Sequence, residues 1–142
     1  MSKKSQIREI NDYQQIHDAF NKIEDNPLEA ITTLGDLARQ ETFRLLIPKH
    51  GGIEKVAPFL LNSNNNDILC KACRVFTNLS YENNDNATKI VGFKEDDQVV
   101  KRIVSLIAEE ELPELRRNAV ALCANLVHAD GTELEYFFIQ FL

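Results

Sequence analysis

Residues 72–80 read Ala-Cys-Arg-Val-Phe-Thr-Asn-Leu-Ser, and the same pattern stands at residues 30–38 (AITTLGDLA) and 119–127 (AVALCANLV). In each copy an alanine is followed six positions on by Asp36, Asn78 or Asn125, and then at once by Leu37, Leu79 or Leu126. The anchors recur at intervals of 42 residues (36 to 78) and 47 residues (78 to 125), within the period of repeats built from two or three helices. A unit whose flank is buried only against its neighbour encloses no pocket for chemistry. The pattern therefore points to a binding surface rather than to an active site.

Outward from these copies, the breaks fall where a helical repeat puts them. Ile7, Ile10, Tyr13, Ile16, Phe20 and Ile23 are spaced for one buried stripe on one or two opening helices. Asn26-Pro27 supplies a cap and a first-turn proline for a long helix to about Arg39, with Leu28, Ile31, Leu34 and Leu37 as its stripe. The chain turns at His50-Gly51-Gly52, and an apolar helix is expected over residues 53–61. The Asn-rich tract at residues 62–66 reads as a surface loop, with Asp67 as the cap of a helix presenting Leu69, Ala72, Cys73, Phe76 and Leu79. A polar break at residues 82–86, a short helix at 87–91, an acidic turn at 94–97 and an amphipathic segment at 99–108 follow. Pro113 starts the third long helix, with Leu115, Ala119, Leu122, Cys123 and Leu126 on its core side.

Composition narrows the class. The 142 residues suffice for one unit of ordinary size, and 44% hydrophobic content can supply its core. A formal charge of −6 with dispersed cations opposes a nucleic-acid footprint, which needs a basic face. Three cysteines after a polar start, MSKKSQ, do not form a disulfide framework; reduced thiols and a cytoplasmic setting are expected, with the nucleus left open. No apolar run reaches the ~18 to 20 residues of a membrane span, and Ser2 replaces the glycine that myristoylation requires.

The order Gly51-Gly52-Ile53, then Val56-Ala57-Pro58-Phe59-Leu60, then Ala72 to Ser80, then Asn86-Ala87-Thr88-Lys89-Ile90-Val91 resembles an armadillo repeat. The first copy departs from it in having Asp36 for the asparagine, and the third has Gln98-Val99-Val100 where Gly-Gly-Ile belongs. The resemblance implies an all-α, right-handed armadillo-like α-solenoid of about three repeats. Residues 1–23 would form an N-terminal helical segment, and 24–142 the repeats, about 24–50, 51–91 and an incomplete 92–142.

In that family the long helices line a concave wall, where the asparagine bonds the backbone of an extended peptide. Carried over by position, this implies Asn78 and Asn125, with Asp36 altered. One turn before stand Thr32, Arg74 and Ala121; nearly one turn after stand Arg39, Tyr81 and His128. The resulting partner-binding groove is Arg39, Arg74, Asn78, Tyr81, Arg117, Asn125 and His128. Its arginines suit a protein partner with an acidic or extended segment. Import adaptors of this class carry tryptophan at the Thr32, Arg74 and Ala121 position, and the chain contains none. A Trp-Asn ladder for basic import signals is not expected. A plainer reading stands beside this one, in which Asn78 and Asn125 merely satisfy backbone at a helix end.

Other candidates are weaker. Cys70-x-x-Cys73 has metal-knuckle or redox spacing but lacks a second pair, and Cys73 falls in the core column. His17, His50 and His128 have no ligand partner at metal spacing, and the acidic runs at residues 95–97 and 109–111 read as solvated turns. No phosphate loop, nucleophile elbow or metalloprotease helix occurs. The expectation is no catalysis, no cofactor and no metal. The expected function is a non-enzymatic protein-protein interaction scaffold, a regulator of small GTPases or a cytoskeletal or signalling adaptor. The alternatives are an oligomerisation or regulatory end-domain resembling the armadillo region of formins, and a chaperone nucleotide-exchange factor. Tyr136, Phe137, Phe138, Ile139, Phe141 and Leu142 crowd the last seven residues. They raise the expectation of further repeats or of self-association at that end.

Overall fold

The structure, a computed structural model, describes residues 2–127 and 139–140. Among these the chain is all-α, with eight helices and no strand: α1 (Lys3–Lys22), α2 (Pro27–Leu37), α3 (Glu41–Lys49), α4 (Gly52–Asn62), α5 (Asn66–Ser80), α6 (Asn84–Val91), α7 (Gln98–Ile107) and α8 (Pro113–Val127). No described helix is long and apolar enough to cross a membrane.

Side-chain caps fix four of the starts. Ser2 accepts from the Ser5 amide at the head of α1, Asn26 from Glu29 at α2, and Asn83 from Asn86 at α6. Helix α5 is capped by Asn65, which accepts from the amides of both Asp67 and Ile68, so Asp67 sits inside the first turn rather than capping it. There its carboxylate faces the positive end of the helix dipole.

Two glycines hold the entry to α4. Gly51 has φ +84, the left-handed region. A Cβ on Gly52 would strike the Ile47 side chain and stand 2.7 Å from the Ile47 carbonyl oxygen. Only the hydrogen of glycine lets α4 start this close to the end of α3.

The helices pack in a regular order. In one layer α2 lies on α5 and α5 on α8; behind it α1 pairs with α2, α4 with α5 and α7 with α8, while α4 also meets α7. The short helices α3 and α6 lead into α4 and α7. Sequence periodicity missed α3, whose Phe43 and Ile47 are buried. Pro48, inside its last turn, reads as a breaker although the helix continues to Lys49.

The core runs along the interfaces. Ala30, Ala72 and Ala119 are buried where helices cross, and Leu79 and Leu126 are wholly enclosed. Leu37, the same column in the first copy, is only half-buried, and Leu28 is exposed. The opening stripe also holds only in part. Ile16 and Ile23 are buried, whereas Ile7, Ile10 and Tyr13 are exposed. A helix of 20 residues spans about 30 Å and one of 11 about 16 Å, so the N-terminal half of α1 overhangs the helix it packs on. The aromatic-rich residues 134–142 lie outside the described residues, Ile139 and Gln140 excepted, and Ile139 is exposed.

These burials rank the leucine columns. Leu79→Ala should cost ~2 to 5 kcal/mol by urea denaturation, and Leu28→Ala less than about 1 kcal/mol. Equal losses would mean that the helix faces are assigned wrongly.

Candidate functional site

The last four carbonyls of an α-helix have no intrahelical donor, and a proline removes one more donor inside the helix. Following these carbonyls through the structure locates most of its long-range polar contacts. At the end of α2, the Gly35 carbonyl accepts from Asn78 Nδ2 at 2.9 Å. At the end of α5, the Thr77 carbonyl accepts from Asn125 Nδ2 at 2.8 Å. Gly35 and Thr77 are matching positions, each one residue before the anchor of its copy. The two asparagines thus make the same bond, each to the long helix before its own.

Two further side chains do comparable work. Asn86, one of two buried polar residues among the described residues, gives both amide hydrogens to carbonyls, Leu79 at the end of α5 and Arg44 in α3, each at 2.8 Å. The Arg44 carbonyl is the one whose helical donor would have been the amide that Pro48 lacks. Arg102 of α7 reaches back to the end of α4, its Nε to the Leu60 carbonyl at 2.9 Å and its Nη2 to that of Ser63 at 3.0 Å. Among the described residues no buried side-chain N or O atom lacks a partner.

The expected groove residues can now be placed. Arg74 and Asn78 stand one turn apart on the same side of α5, both half-buried, with Lys71 one turn earlier. Arg74 is not a free cation: its Nη2 lies 2.7 Å from Asp36 Oδ1 in an ion pair between α5 and α2. Gly35 leaves room for it, since a Cβ there would lie 3.4 Å from Arg74 Nη1. Asn125 repeats the position of Asn78 on α8, with Ala121 exposed in place of Arg74.

The other members lie apart from this wall. Tyr81 is the residue that ends α5, and its ring faces Arg44 of α3, whose guanidinium carbon is 5.5 Å from the ring centroid. The same Arg44 donates to the Arg39 carbonyl at 3.3 Å, and the Arg39 side chain is exposed beyond α2. Arg117 is exposed on α8 in the register of Cys70, on the flank of the helix rather than in the column of Arg74. His128 lies outside the described residues. Asn86 and Arg102 were not singled out from the sequence. For Asn86 the available signal was Pro48 within an apolar segment, because the carbonyl it orphans must find a donor elsewhere; Arg102 had no such signal.

Cys70, Cys73 and Cys123 are all buried free thiols. Burial is the main cause that pushes Cys73 up to about 12 and Cys123 up to about 11. Cys70 is raised by burial and partly brought back by a hydrogen bond from Asn118. Such thiols stay protonated near neutral pH and make poor nucleophiles or metal ligands. Among the described residues no three His, Cys, Asp or Glu side chains converge as a metal site. His17 and His50 instead flank Tyr13, with ring centroids 5.6 and 4.7 Å away. Neither a protein-family model, nor a curated protein, nor a solved structure matches the chain.

Two expectations follow for this network. Asn86→Ala should cost more than Asn78→Ala, about 2 to 5 against about 1 to 3 kcal/mol, because the first orphans two carbonyls, one of them in the interior, and the second orphans one that is partly buried. Urea denaturation of both variants gives the order, and a reversed order would refute the donor assignment. At pH 8 the native thiols should react with a chromogenic disulfide at least about 100-fold more slowly than in denaturant, Cys73 slowest.

Proposed function

We propose that the chain is a non-enzymatic interaction scaffold of the armadillo type, a right-handed α-solenoid that binds an extended segment of a protein partner along the face of α2, α5 and α8. The wider class is that of adaptors and regulators of small GTPases. The observation that carries this reading is the repeated placement of Asn78 and Asn125. Each amide gives one hydrogen to the neighbouring helix, which fixes its orientation. That leaves Oδ1 and the second hydrogen, an acceptor and a donor with the complementarity of a peptide bond. An amide held by the fold pays little ordering entropy when a ligand arrives. The two readings of these asparagines are therefore compatible: the bond that satisfies the backbone also orients the amide.

Lys71 and Arg74 set the charge preference of this wall. Arg74 shares its guanidinium with Asp36, and the pair is 31% and 59% exposed at its side chains, so it forms a weak surface bridge that a better partner can compete for. A carboxylate on the bound segment gains both Lys71 and Arg74 as donors. The acidic protein thus presents a locally basic step on α5, and the fitting segment is extended with one acidic side chain.

A peptide selection tests this reading. Peptides enriched from a random library on the wild-type protein should lose at least about tenfold in affinity, by fluorescence anisotropy, on Arg74→Glu and on Asn78→Asp. Lys101→Glu, at an exposed position of α7, should leave affinity within about twofold. Equal losses from the Lys101 change, with helicity intact in all three, would place the binding face elsewhere.

A further inference from the structure

The free flank of α8 shows what it is built to receive. Helix α5 is flanked on both sides in its layer, by α2 and by α8, whereas α8, backed by α7 and α6, has only α5 beside it in that layer among the described residues. Matching positions make the difference visible. Ile31 and Cys73 are 0% exposed, and their equivalent Val120 is 48% exposed. Cys70 is buried, and its equivalent Arg117 is exposed. The opposite end of the layer is different. Val75 and Leu122, which face the preceding helix, are 0% exposed, and their equivalent on α2 is the polar, exposed Thr33. One end of the layer presents the polar Thr33, and the other leaves a valine at a position covered in both copies before it and an arginine at a position covered in the second copy.

The two existing interfaces also specify the missing neighbour. Each arriving helix brings an asparagine to a fixed carbonyl, Gly35 and then Thr77, and the next carbonyl in that register belongs to Ala124. Each long helix also begins with an acid, Asp67 or Glu114, eleven positions before its asparagine (67 to 78, 114 to 125). Glu114 lies close enough to Cys70 of the preceding helix for its charge to act on that thiol. On α8 the Cys70 position is Arg117, so an acid arriving in the same register would meet a cation instead.

We propose that the flank of α8 bearing Arg117, Val120 and the Ala124 carbonyl docks a partner helix. That helix carries Asp or Glu in its first turn, an aliphatic residue eight positions on and an asparagine eleven positions on. The acid pairs with Arg117, the aliphatic residue covers Val120, and the asparagine amide donates to Ala124. A second copy of this chain fits poorly. Its free edge is α2, where Thr33 replaces the aliphatic residue and Asp36, already bound to Arg74, cannot donate. Residues 128–142 contain no asparagine. The inference rests on the helix layer and not on peptide binding at the wall.

The probe is a synthetic helix with the sequence of residues 65–81, its cysteines changed to alanine, held helical by a hydrocarbon staple on the face away from the contact. Titrated against the full 142-residue chain, it should bind saturably by fluorescence anisotropy. Val120→Glu, Val120→Gln and Arg117→Glu in the protein, and Asn78→Ala in the peptide, should each weaken it by about fivefold or more. Thr33→Glu should not. Asp67→Lys in the peptide should restore binding to the Arg117→Glu protein, a rescue that mere unfolding could not produce. No saturation up to about 1 mM, or equal binding to the Val120 variants, would overturn the proposal. So would a wild-type dimer in sedimentation equilibrium that Val120→Gln dissociates, since the flank would then belong to a second copy.

Discussion

A short helix is mostly ends, and the carbonyls at its C-terminal end have to find donors. An eleven-residue helix such as α2 or α4 leaves four of its carbonyls without an intrahelical donor. Local amides take several of them: Ala38 donates to Leu34, Tyr81 to Asn78, and Ser63 to Phe59. The carbonyls that face a neighbouring helix take donors from that side as well. Asn78, Asn125, Asn86 and Arg102 fill those places, each from a later part of the chain. Apolar burial supplies most of the driving force for stacking, but it tolerates sliding of one helix on another. Directional bonds to fixed carbonyls do not. The register of the layer is therefore set by a handful of amide and guanidinium hydrogens.

This constraint explains the one departure from the pattern in the three copies. An asparagine at position 36 would have no preceding helix of the α2, α5 and α8 layer to donate to among the described residues, so an amide there lacks the task it has at positions 78 and 125. Aspartate, which only accepts, instead takes the Arg74 guanidinium from the helix that follows. The direction of bonding reverses at the first member of the layer. Thr33 in place of Val75 and Leu122 marks the same edge, since a position with no neighbour to cover it gains nothing from an aliphatic side chain.

The repeated Ala-x5-Asn-Leu segments carried most of what the sequence could reveal, because residues on one face of a helix recur at a spacing that any register preserves. They located α5 and α8 and the buried columns of Ala72, Ala119, Leu79 and Leu126. What escaped was decided by three-dimensional neighbours. Nothing local distinguishes Ile10, exposed on an overhanging end, from Ile16, buried one and a half turns later. Helix α3 was hidden because Pro48 breaks the local rule while Asn86, far along the chain, repairs it. The position of Tyr81 was read as a continuation of the α5 face, yet the helix ends at Ser80 and the extended backbone of Tyr81 carries the ring toward Arg44. Arg74 and Asn78 stand one turn apart on one side of α5, as helical spacing implies, but the ion pair with Asp36 depends on the approach of two helices that the sequence does not measure.

A division of labour within each long helix follows. The asparagine donates to a carbonyl, and a carbonyl is the same acceptor whatever residue carries it, so glycine at 35 and threonine at 77 serve equally. Donor positions are thus restricted by the fold and acceptor positions are not. The wall position one turn before the anchor is free of both demands and holds Thr32, Arg74 and Ala121 in the three copies. A surface that varies between units while its amide anchors stay fixed can read a different side chain at each step of a ligand without altering the packing beneath it. If the wall binds a segment as proposed, that separation lets partner specificity change by substitution at exposed wall positions, at small cost to stability.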